Sequence, residues 1–278
     1  MSDPSFASRY GRWALVAGAS DGLGTAYARA MAERGLDVVL LARRQGLLDE
    51  VAEGIEGDFG VETRVLAMDL AASDAAARVI EATADLEIGM FMYCAGADPN
   101  VTTFLATPVE ECLGMVHRNC SVLLETTHHY AGKMVERGRG GIVIVGSGAA
   151  FHGAPEMVTY SATKAFDVLF TESLWAELHP LGVDVLALVI GATDTPALRK
   201  VMFERGILPT LDGTEPIPGV TSAEDTVADA LAHLTAGPTR LVGERMQQRV
   251  PELARLDRNE AVRVMVENAG GITRRAST

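Results

Sequence analysis

A tyrosine and a lysine stand four residues apart in the segment Tyr160-Ser-Ala-Thr-Lys164. On a helix, positions i and i+4 share one face, so the phenol and the ammonium group would point into the same space. A phenol ionises near pH ~10, and a neighbouring cation favours its charged form. Such a phenol can exchange a proton with an alcohol or carbonyl oxygen near neutral pH. An exposed helix face is the alternative interpretation, because this spacing is common by chance.

A glycine-rich turn, Gly18-Ala-Ser-Asp-Gly22-Leu-Gly24, follows an apolar run and precedes a helical pattern. Gly18 permits a sharp turn, Gly22 leaves room for a pyrophosphate, and Gly24 allows the helix to pack closely on the strand. The N-terminus of that helix offers free amides and a partial positive charge. Because the glycines stand between a predicted strand and a predicted helix, the turn predicts a dinucleotide site.

The second apolar run ends at Ala42-Arg43-Arg44, where an NAD site usually carries an acid for the ribose 2′-hydroxyl. No acid stands there, and the planar fork of Arg43 suits a 2′-phosphate. We therefore expect NADP, with NAD less favoured; a solvated arginine pair is the alternative. Asp69, after the third predicted strand, is a candidate acceptor for the adenine amino group or a cap for the next turn.

Short apolar runs alternate with helical patterns along the chain. The predicted strands are 13–18, 38–42, 63–68, 88–94, 142–145, 183–190 and 240–243, and the predicted helices are 22–34, 47–59, 74–86, 109–137, 157–181, 195–206 and 222–236. This repetition predicts right-handed crossovers and a parallel sheet with helices on both faces. We predict a single α/β domain over 1–278 with a Rossmann-like, doubly wound sheet. Its core spans about 10–245, and 246–278 is an atypical helical extension or tail.

Composition narrows the class of protein. The formal net charge of −13 would repel a phosphate backbone, so we expect no nucleic-acid partner. Three cysteines without a Cys-x-x-Cys pair argue against a disulfide framework and a zinc site, so we expect no metal. The sequence shows neither a signal-peptide pattern nor an apolar stretch of membrane-spanning length. We therefore expect a cytoplasmic protein with no membrane partner.

Ser147 lies thirteen residues before Tyr160, just past the predicted strand 142–145. With the glycine turn and Tyr160-x-x-x-Lys164, it resembles the short-chain dehydrogenase/reductase family over roughly 10–245. The Gly18-x-x-x-Gly22 spacing resembles the compact, single-domain branch. The resemblance implies that Tyr160 is the acid/base and that Lys164 tunes it and binds the nicotinamide ribose. It also implies that Ser147 holds the substrate oxygen and that Asn119 holds a water in the proton relay.

Ligands of open parallel sheets bind beyond the carboxyl ends of the strands, so we expect the cofactor site there. Its expected residues are Gly18, Ser20, Asp21, Gly22, Leu23, Gly24, Arg43, Asp69, Leu70, Ala95, Gly96, Tyr160, Lys164, Gly191, Thr193 and Thr195. Three features depart from the family pattern. Tyr93-Cys94-Ala95-Gly96 replaces Asn-Asn-Ala-Gly, Ile190-Gly191 replaces Pro-Gly, and Asp21 stands where many NADP-using members carry a basic residue.

The function implied is NADP(H)-dependent interconversion of a ketone or aldehyde and an alcohol. We expect an apolar small-molecule substrate, because Met202, Phe203, Ile207 and Leu208 lie where the family keeps its substrate lid; a helix burying one face is the alternative. The family also implies a homodimer or homotetramer through helices 109–137 and 157–181. A non-catalytic dinucleotide-binding regulator and a dehydratase or isomerase of the same fold are the alternative functions.

Three further candidates have ordinary interpretations. His128 and His129 are adjacent on a predicted helix and point in different directions, so an exposed polar face explains them better than a metal site. His152 could line the substrate cleft, with a solvated loop as the default. Cys94 is better explained as a buried, inert thiol than as a nucleophile.

Overall fold

A seven-stranded parallel sheet forms the centre of the molecule. The computed structural model describes residues 4–97, 102–204, 206–211, 213 and 215–269. In this part of the chain the sheet has the strand order β3-β2-β1-β4-β5-β6-β9. Its strands are β1 (Trp13–Ala17), β2 (Asp37–Ala42), β3 (Thr63–Ala67), β4 (Ile88–Tyr93), β5 (Gly140–Ser147), β6 (Val183–Ile190) and β9 (Thr239–Leu241). Two short strands, β7 (Thr193–Asp194) and β8 (Thr221–Ser222), pair separately.

Helices connect the strands and extend beyond the sheet. They are α1 (Pro4–Tyr10), α2 (Gly22–Glu33), α3 (Gln45–Phe59), α4 (Ala75–Ala82), α5 (Val109–Val116), α6 (Leu123–Arg137), α7 (Val158–Leu178), α8 (Pro196–Glu204), α9 (Ala223–His233), α10 (Glu244–Ala254) and α11 (Arg258–Ala269). In the described part of the chain, no helix has the combination of length and apolar character that crossing a bilayer requires.

The sheet is buried on both faces, which explains why its strands are uninterrupted apolar runs. All five residues of β1 are buried. Val16 packs in one core with Tyr27 and Met31 of α2. Its neighbour Leu15 packs in the other core with Tyr130 of α6. Alternate residues of one strand therefore face opposite helical layers, and the predicted doubly wound fold is confirmed.

The strand order reverses beside β1, whose neighbours are β2 and β4. In open parallel sheets, ligands bind beyond the carboxyl ends of the strands at such a reversal. The turn after β1 is the glycine-rich segment that begins at Gly18, and β4 leads into Cys94–Gly96. The topology thus brings these two predicted cofactor segments together.

The predicted helix 109–137 is interrupted. A π-helical segment, His117–Val122, separates α5 from α6. Such a segment often marks a functional position, because the local change in winding redirects side chains. The Tyr93 hydroxyl donates a hydrogen bond of 2.5 Å to the Arg118 carbonyl in this segment. A hydrogen bond from a strand distant in sequence therefore contacts the π-helical segment. Helical periodicity alone could not predict this break in the helix.

Candidate active site

Helix α7 carries the tyrosine and the lysine of the predicted reaction centre. The Lys164 Nζ atom lies 5.8 Å from the centroid of the Tyr160 ring. Lys164 is only 4% exposed, whereas Tyr160 is half-buried. The two side chains thus share one face of the helix, as their spacing predicts.

The buried ammonium group of Lys164 has two partners. Its Nζ atom donates to the Val145 carbonyl at 2.8 Å and to Asp167 Oδ2 at 2.9 Å. Burial lowers the pKa of Lys164, but the Asp167 and Tyr160 side chains oppose this effect and the pKa is raised overall. Lys164 is therefore charged at neutral pH and tied to strand β5.

Strand β5 ends at Ser147, beside the first turns of α7. The Ser147 Oγ atom accepts a hydrogen bond of 3.2 Å from the Ala149 amide, which caps the short helical turn Gly148–Ala150. This bond leaves the hydroxyl hydrogen of the half-buried serine available for another acceptor. Ser147 can therefore donate to an oxygen at the carboxyl end of the sheet, as the resemblance implies.

Asn119 lies in the π-helical segment and is fully buried. Its Nδ2 atom donates to the Gly96 carbonyl at 3.3 Å and to Thr163 Oγ1 at 2.9 Å. The Thr163 hydroxyl donates in turn to the Tyr160 carbonyl at 2.9 Å. The side chain of Asn119 thus connects the end of β4 to α7. The relay water that the resemblance assigns to Asn119 stays a prediction.

The glycine turn fits the close approach of a dinucleotide. Gly18 has a φ of 90°, in the left-handed region. A Cβ atom added at Gly24 would lie 2.0 Å from the Gly18 carbonyl oxygen, and one added at Gly22 would lie 2.8 Å from Thr195 Cγ2. Larger residues would therefore displace the turn or Thr195. The Asp21 side chain caps α2 by accepting a hydrogen bond of 2.8 Å from the Gly22 amide.

The two arginines after β2 differ in their surroundings. Arg43 is exposed and makes no hydrogen bond or ion pair with the described residues. Arg44 donates to Ser20 Oγ at 3.1 Å and lies 3.4 Å from Asp21 Oδ2. Arg43 is therefore open to an anion, while Arg44 is held beside the glycine turn. The sequence prediction did not include Arg44, although its position next to Arg43 was a signal.

The remaining predicted cofactor residues occupy the same end of the sheet or its loops. Asp69 is exposed, and its Oδ1 atom accepts a hydrogen bond of 2.9 Å from the Ala71 amide, so the alternative that it caps the next turn is observed. Thr195 Oγ1 accepts a hydrogen bond of 3.2 Å from the Leu198 amide at the start of α8. Leu23, Leu70, Gly96 and Thr193 are buried, Ala95 is half-buried, and Gly191 is exposed after β6.

The C-terminal helices also reach the site, which no local sequence pattern indicated. A Cβ atom added at Gly148 would lie 2.6 Å from Met246 Cε, and one added at Gly191 would lie 3.2 Å from Met246 Cγ. Met246 of α10 thus packs over the residue that follows Ser147. His152 is buried, so the default interpretation of a solvated loop histidine is wrong. Burial, with a contribution from Arg258 of α11, lowers the pKa of His152.

Cys94 lies at the end of β4, behind the site. Burial raises the pKa of its thiol to about 12, although Lys164 opposes the shift. The thiolate is the nucleophilic form of cysteine, so the raised pKa of this half-buried thiol argues against a role as a nucleophile at neutral pH. The structure supports the inert-thiol interpretation.

Comparisons with known proteins agree with this geometry. A family model described as short chain dehydrogenase matches residues 12–205. The chain is 34% identical over 260 residues to a 7beta-hydroxysteroid dehydrogenase of Clostridium sardiniense, covering 93% of this chain and 95% of that one. A solved 7beta-hydroxysteroid dehydrogenase structure matches with a TM-score of 0.84 and 30% identity over 93% of this chain and 98% of that one. A short-chain dehydrogenase from Sphingobium yanoikuyae in complex with NADPH matches with a TM-score of 0.71 and 27% identity, covering 96% and 98% of the two chains.

Proposed function

Since the chain belongs to the short-chain dehydrogenase family, we propose that Tyr160 exchanges the proton when this enzyme interconverts a ketone and a secondary alcohol with NADP(H). NAD(P)-dependent carbonyl–alcohol interconversion follows from the family and its relatives. The observation that carries the role of Tyr160 is its position beside the buried Lys164 Nζ, 5.8 Å from the ring centroid. Both lie on a helix that packs against the carboxyl end of β5.

In the direction of reduction, the phenol of Tyr160 donates its proton to the carbonyl oxygen of the substrate. NADPH, held by the glycine turn and Lys164, would supply the hydride that the carbonyl carbon receives. Ser147 donates a hydrogen bond to the same oxygen, where negative charge develops. Lys164 stabilises the phenolate that Tyr160 becomes, because an adjacent cation favours the charged form. The reverse sequence oxidises the alcohol.

The surroundings of the glycine turn support NADP over NAD. Arg43 is exposed and unpaired among the described residues, at the point where β2 ends. Its planar guanidinium can bind a phosphate through two parallel hydrogen bonds. Ser20 and Arg44 lie together beside it, although Asp21 offsets part of the positive charge. A structurally similar short-chain dehydrogenase is known in complex with NADPH.

An apolar substrate suits the exposed apolar side chains of α8 and the segment that follows it. Phe203 of α8 and Ile207 after it are 41% and 54% exposed, so this segment does not simply bury one apolar face. Met246 adds a flexible apolar side chain beside Ser147. The relative from Clostridium sardiniense is named for the 7beta-hydroxyl of a steroid. We propose a ketone or secondary alcohol on a bulky apolar skeleton.

A homodimer or homotetramer through α5, α6 and α7 belongs to the same proposal. These helices and the turn before them expose large apolar side chains: Leu105, Val109, Leu113, Val116, Leu124, Val158 and Leu169. Leu105 is 94% exposed. Contiguous exposed apolar residues typically mark an interaction surface. The cytoplasmic location expected from the sequence stays a prediction.

The direct experiment is a titration of the purified protein with NADPH and with NADH, followed by a panel of ketones that includes 7-oxo steroids. We expect tighter binding of NADPH and a loss of nicotinamide absorbance with at least one bulky ketone. Binding without turnover across the panel would favour a non-catalytic regulator. Product formation without a change in nicotinamide absorbance would favour a dehydratase or isomerase.

A further inference from the structure

A buried carboxylate lies directly behind Lys164. Asp167 occupies the next turn of α7 and is 3% exposed. Its Oδ2 atom lies 2.9 Å from Lys164 Nζ, and its Oδ1 atom accepts no hydrogen bond from the described residues. A buried acid with an unsatisfied oxygen is costly to retain. Neither the motif that identifies the site nor the role proposed for Lys164 requires it.

The phenol and the two thiols that face this pair from β4 and the π-helical segment are neutral. Tyr93 and Cys94 at the end of β4 and Cys120 in the π-helical segment interact with Asp167 or Lys164. Burial raises the pKa of Tyr93 above its ordinary value, that of Cys94 to about 12 and that of Cys120 to about 11. Arg118, a further cation on this side, interacts with Tyr93. Asp167 is thus the carboxylate paired with the buried ammonium group.

The position of Asp167 limits the direction in which Lys164 can act. An ammonium group has three N–H donors. Two of them are directed to Val145 and Asp167, which leaves one for the side that Tyr160 occupies. Burial raises the pKa of Asp167, and the ion pair with Lys164 opposes this effect by favouring the charged carboxylate. The negative charge of the paired carboxylate also opposes negative charge elsewhere near Lys164, including charge on a phenolate.

We propose that Asp167 is a positioning residue that fixes Lys164 Nζ beside Tyr160 and offsets part of its charge, which weakens the stabilisation that Lys164 gives to a phenolate at Tyr160. This inference rests on the proposed role of Tyr160. Reduction begins with a protonated phenol, whereas oxidation begins with the phenolate. A charge-compensated lysine therefore favours the reductive direction at neutral pH.

The test is a tyrosinate absorbance titration of the protein without cofactor. The difference between the parent and Tyr160→Phe isolates the ionisation of Tyr160 from that of the other tyrosines. The same difference is then measured in an Asp167→Asn background. Asparagine keeps the shape and an oxygen that can accept from Lys164, but removes the charge. We expect the Tyr160 midpoint to fall by about one pH unit. The acidic limb of the pH–rate profile for alcohol oxidation should likewise move to lower pH.

Asp167→Glu is the matched control, because it keeps the negative charge and should keep the parent midpoint. An unchanged or higher midpoint in Asp167→Asn would overturn the proposal, since a purely structural role would alter thermal stability without moving this titration. If Asp167→Asn is unstable, Asp167→Ser supplies the same comparison. The titration needs no turnover, so it remains informative even if the ketone panel contradicts the proposed function.

Discussion

Asn119 and Thr163 are joined by a hydrogen bond of 2.9 Å between Nδ2 and Oγ1, although they lie on different helical segments 44 residues apart. The Thr163 hydroxyl donates in turn to the Tyr160 carbonyl, and Asn119 also donates to the Gly96 carbonyl. One buried amide thus connects the π-helical segment, the end of β4 and the first turns of α7. We infer that it fixes the position from which Tyr160 acts.

Asn119→Ala should therefore lower both stability and turnover. Removing the amide leaves the Gly96 carbonyl and the Thr163 hydroxyl without their buried donor. This loss should lower the free energy of unfolding by about 1–3 kcal/mol. Thr163→Val removes the hydroxyl that links Asn119 to the Tyr160 carbonyl, and so breaks the same series of hydrogen bonds. If these hydrogen bonds act as a unit, the double variant should lose clearly less activity than the two single losses combined. Urea denaturation and steady-state kinetics on the three variants measure this. Fully additive effects would mean that the two residues act independently.

Cofactor preference should respond in opposite directions to two substitutions. Arg43→Ala removes a charge-assisted contact to the 2′-phosphate and should weaken NADPH binding by about 10- to 100-fold, with little effect on NADH. Asp21→Asn removes the negative charge beside Arg44 and retains a good helix cap, so NADPH should bind several-fold more tightly. Arg78→Ala, at an exposed position of α4, is the control. Equal effects on NADPH and NADH titrations would contradict binding of the 2′-phosphate at this point.

Met246→Ala should change substrate selection. The thioether packs against Gly148 and Gly191, so its truncation opens space beside Ser147. We expect lower KM values for the bulkiest ketones and little change for small ones. Gly148→Ala should act in the reverse direction, because its Cβ atom would lie 2.6 Å from Met246 Cε. Met265→Ala on α11 controls for general loosening of the C-terminal helices. A uniform change in kcat/KM across ketone sizes would show that Met246 does not line the substrate space.

Cys94 should resist alkylation in the folded protein. With a pKa of about 12, its thiolate fraction at pH 8 is about one in ten thousand. The fraction rises tenfold with each pH unit, so labelling should increase steadily from pH 8 to pH 10. Mass spectrometry after iodoacetamide treatment measures this, and unfolded protein provides the fully labelled reference. Rapid labelling of Cys94 at pH 8 would indicate an activated thiol.

Much of the architecture could be predicted, because parallel strands that are buried on both faces appear in the sequence as continuous apolar runs. The run Trp13–Ala17 is one example, and the glycine turn after it is another. The pair Tyr160 and Lys164 was also accessible, since i,i+4 spacing fixes a shared face.

Other features depend on contacts between distant residues. Helix α1, which was not predicted, is held by Arg9 and Tyr10, which both donate to Asp184 some 175 residues away. The contact of Met246 with Gly148 likewise has no local signal. Asp167 is different, because it stands three residues after Lys164 and therefore shares its helix face, a signal in the sequence that could have been used.

The most direct test of the central claim is Tyr160→Phe, which removes only the phenolic oxygen. Loss of a general acid typically costs about 10²- to 10⁴-fold in rate. The variant should bind NADPH within about twofold of the parent, since the aromatic ring beside Lys164 is kept. Its ketone-dependent oxidation of NADPH should fall by at least about 100-fold. Retention of most of the parent activity by the folded variant would contradict the assignment of Tyr160 as the proton donor.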